Sequence, residues 1–285
     1  MRNRGFEVCV GGRIVETKDW QLNANVTMGH YKNEVERLTD GNFITNVMGA
    51  NMLTAEGNPL GVFYGYKSEG VFTDMEDASK ANLSVVDNTG RNLRFGAGDM
   101  HFADIKVDGI IDEHDMTIIG DPNPDIYGAF GFNVNWKRLS LDAIFTYSLG
   151  NDAFNAMRKQ MENGSSLNNQ SEAMLRRWTG DGQATDIPRA TYGDPMGNSR
   201  FSDRWIEDAS YLKLKQVSLS YSLPVKPRFI QGVQVWASVT NVFTMTKYLG
   251  TDPEFFYGSQ ALCQGIDTGL MPQTRTYNLG IKLNL

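Results

Sequence analysis

The sequence predicts an all-β protein: an antiparallel transmembrane β-barrel, of which these residues supply about seven to nine strands. Three observations lead to this prediction. Apolar and polar residues alternate along several segments, as they do in strands with two different faces. Very short connections alternate with very long ones, and aromatic residues flank both kinds. Short periplasmic turns, long external loops and two aromatic girdles are typical of outer-membrane barrels.

Alternation is clear in seven segments. Between Trp20 and Met28 every second residue is apolar, and the residues between them are Gln, Asn and Thr. Leu139–Leu149 repeats the pattern, with Ile144 as the exception. The other five predicted strands are Phe6–Ile14, Phe130–Trp136, Val217–Leu223, Val233–Val239 and Tyr277–Leu285. The polar face carries few of the Lys and Glu residues of a solvated sheet. This favours a barrel over a soluble sandwich or jelly roll, which stays the alternative.

The connections differ greatly in length. Val15–Asp19 and Lys137–Arg138 are short, and Pro224–Gly232 is intermediate. The long ones are Lys32–Leu60, Tyr66–Asp125, Gly150–Ser210 and Thr244–Gln273. Compact soluble domains rarely contain several unstructured loops longer than about 12–15 residues.

Smaller elements are expected within and beside these loops. An extra hairpin is predicted from Val62–Tyr66 and Gly70–Thr73, and short helices at Asp152–Asn163 and Ser171–Trp178. The aromatic residues next to short connections are Trp20, Trp136, Tyr221 and Phe229, and those next to long ones are Tyr31, Tyr147 and Phe243. This is the placement expected of rings at two membrane interfaces.

Composition and motifs exclude several functions. The net charge is −6 and the 27 basic residues are scattered, so a nucleic-acid partner is not expected. No apolar run approaches 18 residues, and the N-terminus lacks the features of a signal peptide. Cys9 and Cys263 have no metal-binding spacing. There is no GxSxG elbow, HExxH motif or P-loop, so the chain is predicted not to be an enzyme, although a glycosidase carboxylate pair could not be recognised from sequence.

One acidic segment has the spacing of a calcium loop. Asp104, Asp108, Asp112 and Asp115 stand at positions 1, 5, 9 and 12 of an EF-hand-type pattern, with glycine at position 6. These four residues are the candidate metal ligands. Lys106 stands at position 3, where an oxygen ligand belongs, and its ammonium group would repel a cation. Calcium is therefore possible but doubtful, and no other cofactor is expected.

Several segments, in order along the whole chain, resemble the SusC/RagA family of TonB-dependent transporters. The residues that carry the resemblance are Gly57–Phe72, Asp104–Asp115, Ile118–Asp125, Leu149–Asp152 with Phe154–Asn155, Tyr211–Tyr221 and Thr240–Phe243. The family's acidic segment has Asn where this chain has Lys106. The chain ends in Leu285, where such barrels often end in an aromatic residue.

The resemblance implies that residues 1–285 are the C-terminal part of an outer-membrane barrel, without the plug, TonB box and signal peptide. It also implies import of glycans or peptides with a SusD-like lipoprotein, energised by the TonB complex, in contact with outer-membrane lipid. Aromatic loop residues are the candidate ligand contacts, because their rings can stack on sugar or peptide faces. They are Trp178, Tyr192, Trp205, Phe255, Phe256 and Tyr257. The alternative function is a soluble, secreted carbohydrate-binding β domain.

Overall fold

The computed structural model describes residues 1–224 and 232–284. Up to residue 120 the strands are β1 (Arg2–Glu16), β2 (Trp20–Glu34), β3 (Phe43–Val47), β4 (Ala50–Thr54), β5 (Val62–Tyr66), β6 (Ser68–Val71), β7 (Ser84–Val86), β8 (Asn92–Arg94), β9 (Met100–Phe102) and β10 (Met116–Gly120). The later strands are β11 (Ile126–Trp136), β12 (Leu139–Leu149), β13 (Asp152–Asn155), β14 (Ile206–Asp208), β15 (Tyr211–Leu223), β16 (Gly232–Thr246), β17 (Ile266–Asp267) and β18 (Thr276–Asn284). Phe229 and Leu285 lie outside the described residues.

The long strands form one antiparallel sheet, here called the wall. Its order is β1-β2-β11-β12-β15-β16-β18, so every long strand pairs with the next long strand along the chain. All seven predicted strands are present, and most extend further than the alternation indicated. They form a single sheet rather than the two packed sheets of a sandwich. The predicted all-β, antiparallel fold is confirmed.

The two faces of the wall differ in chemistry as predicted. On the polar face the side chains of neighbouring strands bond to one another. Asn23 Nδ2 donates to Asn133 Oδ1 at 3.2 Å, and Asn133 Nδ2 donates to Asp142 Oδ1 at 2.7 Å. On the opposite face the rings of Phe130 and Phe145 stack with centroids 4.7 Å apart. Cross-strand pairs of these kinds stabilise sheets and fix their register.

The short connections all lie at one end of the wall, and aromatic residues gather there. The rings of Trp20 and Trp136 stack with centroids 5.7 Å apart, on strands that pair directly. Tyr221 pairs with Leu139, the residue that follows the two-residue turn between β11 and β12. One of the two predicted belts of aromatic residues, the belt beside the short connections, is thus present in the described residues.

Both outer strands of the wall have an unpaired edge. Every residue of β1 is exposed, and β18 is exposed except at Gly280. The wall is therefore an open sheet in the described residues. No helix in this part of the chain is long and apolar enough to cross a membrane.

Small elements fill the long connections. Among the described residues the α-helices are α1 (Met75–Ala81) and α2 (Ala156–Glu162), and short 3-10 turns occupy Glu113–Asp115, Glu172–Arg176, Asp203–Trp205 and Ala261–Cys263. The predicted extra hairpin is wrong: β5 pairs with β4 and β10, and β6 pairs with β9. Of the predicted helix Asp152–Asn163, the first four residues are strand β13. Ser171–Trp178 contains a 3-10 turn instead of an α-helix.

Candidate functional site

The three long connections form one folded body, here called the loop module: residues 35–125, 150–210 and 247–275. The predicted connections Lys32–Leu60 and Tyr66–Asp125 are parts of one connection, because β5 does not belong to the wall. All three leave the same end of the wall, opposite the short turns. The module has its own apolar core in three clusters. The first centres on Phe72, Phe95 and Phe102, the second on Phe63, Phe154, Phe201 and Trp205, and the third on Tyr248. A loop with a core of this kind can hold side chains in fixed positions above the wall.

A buried carboxylate joins two parts of the module. Asp99 is fully buried and accepts two hydrogen bonds from the guanidinium of Arg189, at 2.8 and 2.9 Å. It also accepts from Asn198 Nδ2 and from the backbone N–H of Gly96, each at 2.9 Å. Since a buried charge is costly unless it is paired and hydrogen-bonded, these four donors account for its burial.

A second buried ion pair fastens the module to the wall. Lys213 of β15 is almost completely buried, and its Nζ lies 2.9 Å from Asp252 Oδ1 and 2.8 Å from Glu254 Oε2. Lys215 Nζ also lies 2.9 Å from Glu254 Oε2. The segment that follows β16 is thus held on the polar face of the wall, near its long-loop end.

Three cations pack on the aromatic rings of the second cluster. Arg158 lies 5.7 Å from the Trp205 ring and makes ion pairs with Glu162 and Glu207. Arg204 lies 4.4 Å from the same ring, and burial, together with the positive charge of Arg158, lowers its pKa to about 10. The third cation is Lys159 of α2.

The predicted ligand-contacting aromatics occupy different environments. Trp205 is fully buried, and its Nε1 donates to Arg200 O at 3.1 Å, so it packs in the core and does not face a ligand. This corrects its assignment as a ligand contact. Trp178 is half-buried over Gly98, with Nε1 donating to Thr73 O at 3.0 Å. Its role is largely in the packing of the first cluster.

The remaining aromatics are more accessible. Tyr192 is 78% exposed and Phe256 is 74% exposed. Phe255, Phe256 and Tyr257 lie together around a cavity of about 270 Å³. Phe255 is half-buried there because its ring packs at 6.0 Å from that of Tyr248. The structure thus brings three of the six predicted residues together and leaves Tyr192 as an exposed residue elsewhere in the module.

The acidic segment is closed by its own backbone. The two oxygens of Asp104 accept from the N–H groups of Asp108 and Gly109, and those of Asp115 accept from the N–H groups of Lys106 and Asp112. A further contact places Lys106 Nζ 3.1 Å from Asp108 Oδ2. No group of three or more His, Cys, Asp or Glu side chains in residues 1–224 and 232–284 is placed to hold a metal ion.

Lys106 and Asp108 each favour the charged form of the other. A hydrogen bond with Asp108 raises the pKa of Lys106. The backbone N–H of Ile110, followed by Lys106, lowers the pKa of Asp108. The ammonium group of Lys106 is thus the positive charge that lies beside this carboxylate. Calcium binding stays a prediction.

Comparison with known proteins gives a consistent result. No protein-family model matches the chain. It is 29% identical over 299 residues to TonB-dependent receptor P3 of Formosa agariphila, which covers 99% of this chain and 28% of the receptor. It is 26% identical over 292 residues to TonB-dependent receptor SusC of Bacteroides thetaiotaomicron, covering 99% of this chain and 26% of SusC.

Solved structures agree. The structure of the RagAB peptide importer in the open-open state matches with a TM-score of 0.77 and 26% identity, covering 99% of this chain and 28% of that chain. The RagAB peptide transporter matches with a TM-score of 0.76 and 27% identity. The chain resembles SusC- and RagA-type TonB-dependent receptors along almost its whole length. The predicted resemblance is confirmed, and the chain spans less than a third of the length of these relatives.

Sequence reasoning missed the charged residues that organise the module. Lys213 has its partners about forty positions away. It gave one usable signal, because Lys213 and Lys215 stand in a strand whose other polar residues are Gln and Ser. Lys159 and Arg204 gave none, because sequence alone does not show that Arg204 folds onto the ring of its neighbour Trp205 or that Phe201 packs against Lys159.

Proposed function

We propose that this chain forms part of the wall and the external loops of an outer-membrane, TonB-dependent importer of glycans or peptides. The observation that carries the proposal is the two-faced seven-stranded sheet with a folded loop module at one end only. The apolar face suits lipid, and the polar face suits a water-filled lumen. The chain is similar to RagAB, which is named as a peptide importer.

The proposal includes the partners that the resemblance implies. A SusD-like lipoprotein would meet the chain on the loop-module side, and the TonB complex would act through parts of a receptor outside these residues. Glycan or peptide would contact accessible aromatic residues. The candidates are Tyr192 and the pair Phe256 and Tyr257, which lie beside their cavity. Trp205 is no longer among them. The chain is proposed to act by passage of ligand and not by catalysis.

The proposal is tested in Gram-negative cells that express the full-length chain carrying these residues. We expect the protein in the outer-membrane fraction, and uptake of a labelled oligosaccharide or oligopeptide that stops when TonB is deleted. Recovery of the chain as a secreted, detergent-independent protein that binds carbohydrate would favour the alternative function. Turnover of a glycan panel by purified protein would show an enzyme.

A further inference from the structure

Two of the cations that pack on the second cluster, Lys159 and Arg204, have no carboxylate partner among the described residues, and Lys159 lies beside a cavity. Lys159 Nζ lies 5.9 Å from the centroid of the Phe154 ring and 5.7 Å from that of Phe201. Among the described residues no carboxylate lies within 4.0 Å of this nitrogen, and it makes no hydrogen bond. The neighbouring Arg158 differs in this respect, because Glu162 and Glu207 both pair with it.

The environment of Lys159 disfavours its charge. The residue is half-buried, and burial lowers the pKa of the ammonium group below its usual value. The two aromatic rings offset part of this cost, since the face of an aromatic ring attracts a cation. An anion at the same nitrogen would offset the rest, because buried charges are stable when they are paired.

A cavity of about 340 Å³ opens directly beside this lysine. Its lining includes the apolar residues Met48, Phe154 and Met157 and the polar residues Gln160 and Thr268. Such a mixture suits a ligand with a carbon skeleton and one charged end, because apolar walls bury the skeleton and a few polar groups fix its orientation.

One wall of the cavity is built at a conformational cost. The turn between β3 and β4 places Met48 at φ +51° and Gly49 at φ +87°. Two-residue hairpin turns of this kind prefer Asn-Gly, because a left-handed backbone is unfavourable for most side chains. Met48 nevertheless stands there, 56% exposed, and is one of the residues that line the cavity.

We propose that this cavity binds a carboxylate-bearing end of the imported ligand, with Lys159 as its counter-ion. The inference rests on the proposed import function and narrows its substrate class to ligands that carry a free carboxylate. A single ammonium group with amide and hydroxyl neighbours fits a carboxylate better than a phosphate, for which arginine clusters are usual. The carboxylate could come from an acidic sugar or from the C-terminus of a peptide.

Binding to the purified full-length chain in detergent tests the inference with two matched probe pairs. One pair is trigalacturonate and its methyl ester, and the other is a trialanine peptide with a free or an amidated C-terminus. We expect the acid of at least one pair to bind about tenfold more tightly than its neutral partner, because only the acid offers a negative charge to Lys159; tenfold corresponds to about 1.4 kcal/mol. The pair that shows the preference identifies the source of the carboxylate.

Substitutions assign the preference to this lysine. Lys159→Met keeps the packing on both rings and should abolish the preference, whereas Lys159→Arg should retain most of it. Met48→Asn suits the turn better and should weaken both members of a pair equally. Lys80→Met removes an exposed lysine that pairs with Glu76 and should change nothing. Thermal melting of each variant checks that it folds.

Two results would overturn the inference. One is equal binding of the acid and its neutral partner in both pairs, or no binding of either acid. The other is a preference for acid that survives Lys159→Met. TonB-dependent uptake of a neutral oligosaccharide or amidated peptide in the same cells would show that the proposed function stands although the acidic site does not.

Discussion

Lys213 Nζ on wall strand β15 lies 2.9 Å from Asp252 Oδ1 in the connection after β16, and both side chains are largely shielded from solvent. Together with the contacts of Lys213 and Lys215 to Glu254, this contact links residues 247–275 to the wall. Breaking one partner of a buried ion pair leaves the other charge without compensation, which is costly. We therefore expect the position of residues 247–275 on the wall to depend on this ion pair.

Substitution of Lys213 by Met should loosen the connection. We expect the free energy of local opening of residues 248–273 to fall by about 2–4 kcal/mol, because Asp252 and Glu254 lose their buried counter-charge. Amide hydrogen exchange on the full-length chain measures this. Combining Lys213→Met with Asp252→Asn should lower the free energy of local opening by less than the sum of the two single effects. Lys80→Met, which breaks an exposed pair with Glu76, should have an effect below about 0.5 kcal/mol. Equal effects of the two lysine variants would contradict the prediction.

The same contact predicts a pH dependence. Burial acts to raise the pKa of Asp252, but hydrogen bonds from Lys213 and from the N–H groups of Glu254 and Gln273 outweigh it and hold the pKa below the usual 3.8. The ionised carboxylate therefore stabilises the closed connection fully above the usual value, and this contribution is lost as pH falls through the folded value.

Hydrogen exchange, corrected for its intrinsic pH dependence, should show constant protection from about pH 7 to pH 5 and a loss below about pH 4. Asp252→Asn should remove that step. Protection that instead falls on raising the pH from 5 to 7 would give the opposite sign and contradict the assignment.

The acidic segment predicts a gain of calcium binding. Replacing Lys106 by Asn removes the ammonium group beside Asp108 and restores an oxygen donor at the third position of the loop. We expect weak or undetectable binding in the unmodified full-length chain and measurable binding in the variant, by calorimetry. Tight calcium binding with Lys106 in place would show that the loop rearranges around the metal, and would contradict the prediction.

The strands of the wall could be predicted because each carries its signal locally. The start of β15 shows where this local signal fails. Tyr211–Leu223 was predicted only from Val217, because the register shifts between Leu214 and Gln216. The extra residue, Lys215, moves the apolar positions from even to odd numbers, so that alternation appears to begin after it. A bulge of this kind interrupts the pattern without ending the strand.

The loop module could not be predicted in the same way, since its contacts join distant residues. Tyr66 pairs with Met116, fifty positions on, and the Phe154 ring packs on Phe201. Trp205 illustrates the consequence for the site. Its type and its place in a long connection suggested an accessible ring, yet two other connections bury it completely.

The open edges predict the behaviour of these 285 residues expressed alone. Strands β1 and β18 each leave a row of unpaired backbone groups, and the apolar face of the wall would be exposed to water. In hydrocarbon each unpaired group would cost several kcal/mol. We therefore expect aggregation without detergent, seen by size exclusion. A monomeric peak with a cooperative thermal transition would favour a soluble β domain.

The central claim is that one face of the wall meets lipid and the other a lumen, and neighbouring residues on β2 test it directly. Val26 pairs with Phe130 on the apolar face, and Asn25 pairs with Gly131 on the polar face. Single cysteines at these positions, in a full-length chain with Cys9 and Cys263 changed to Ser, are labelled in native outer membranes. We expect Val26→Cys to react with lipid-phase reagents and Asn25→Cys to react with water-soluble ones. The reverse pattern, or equal aqueous labelling of both, would contradict it.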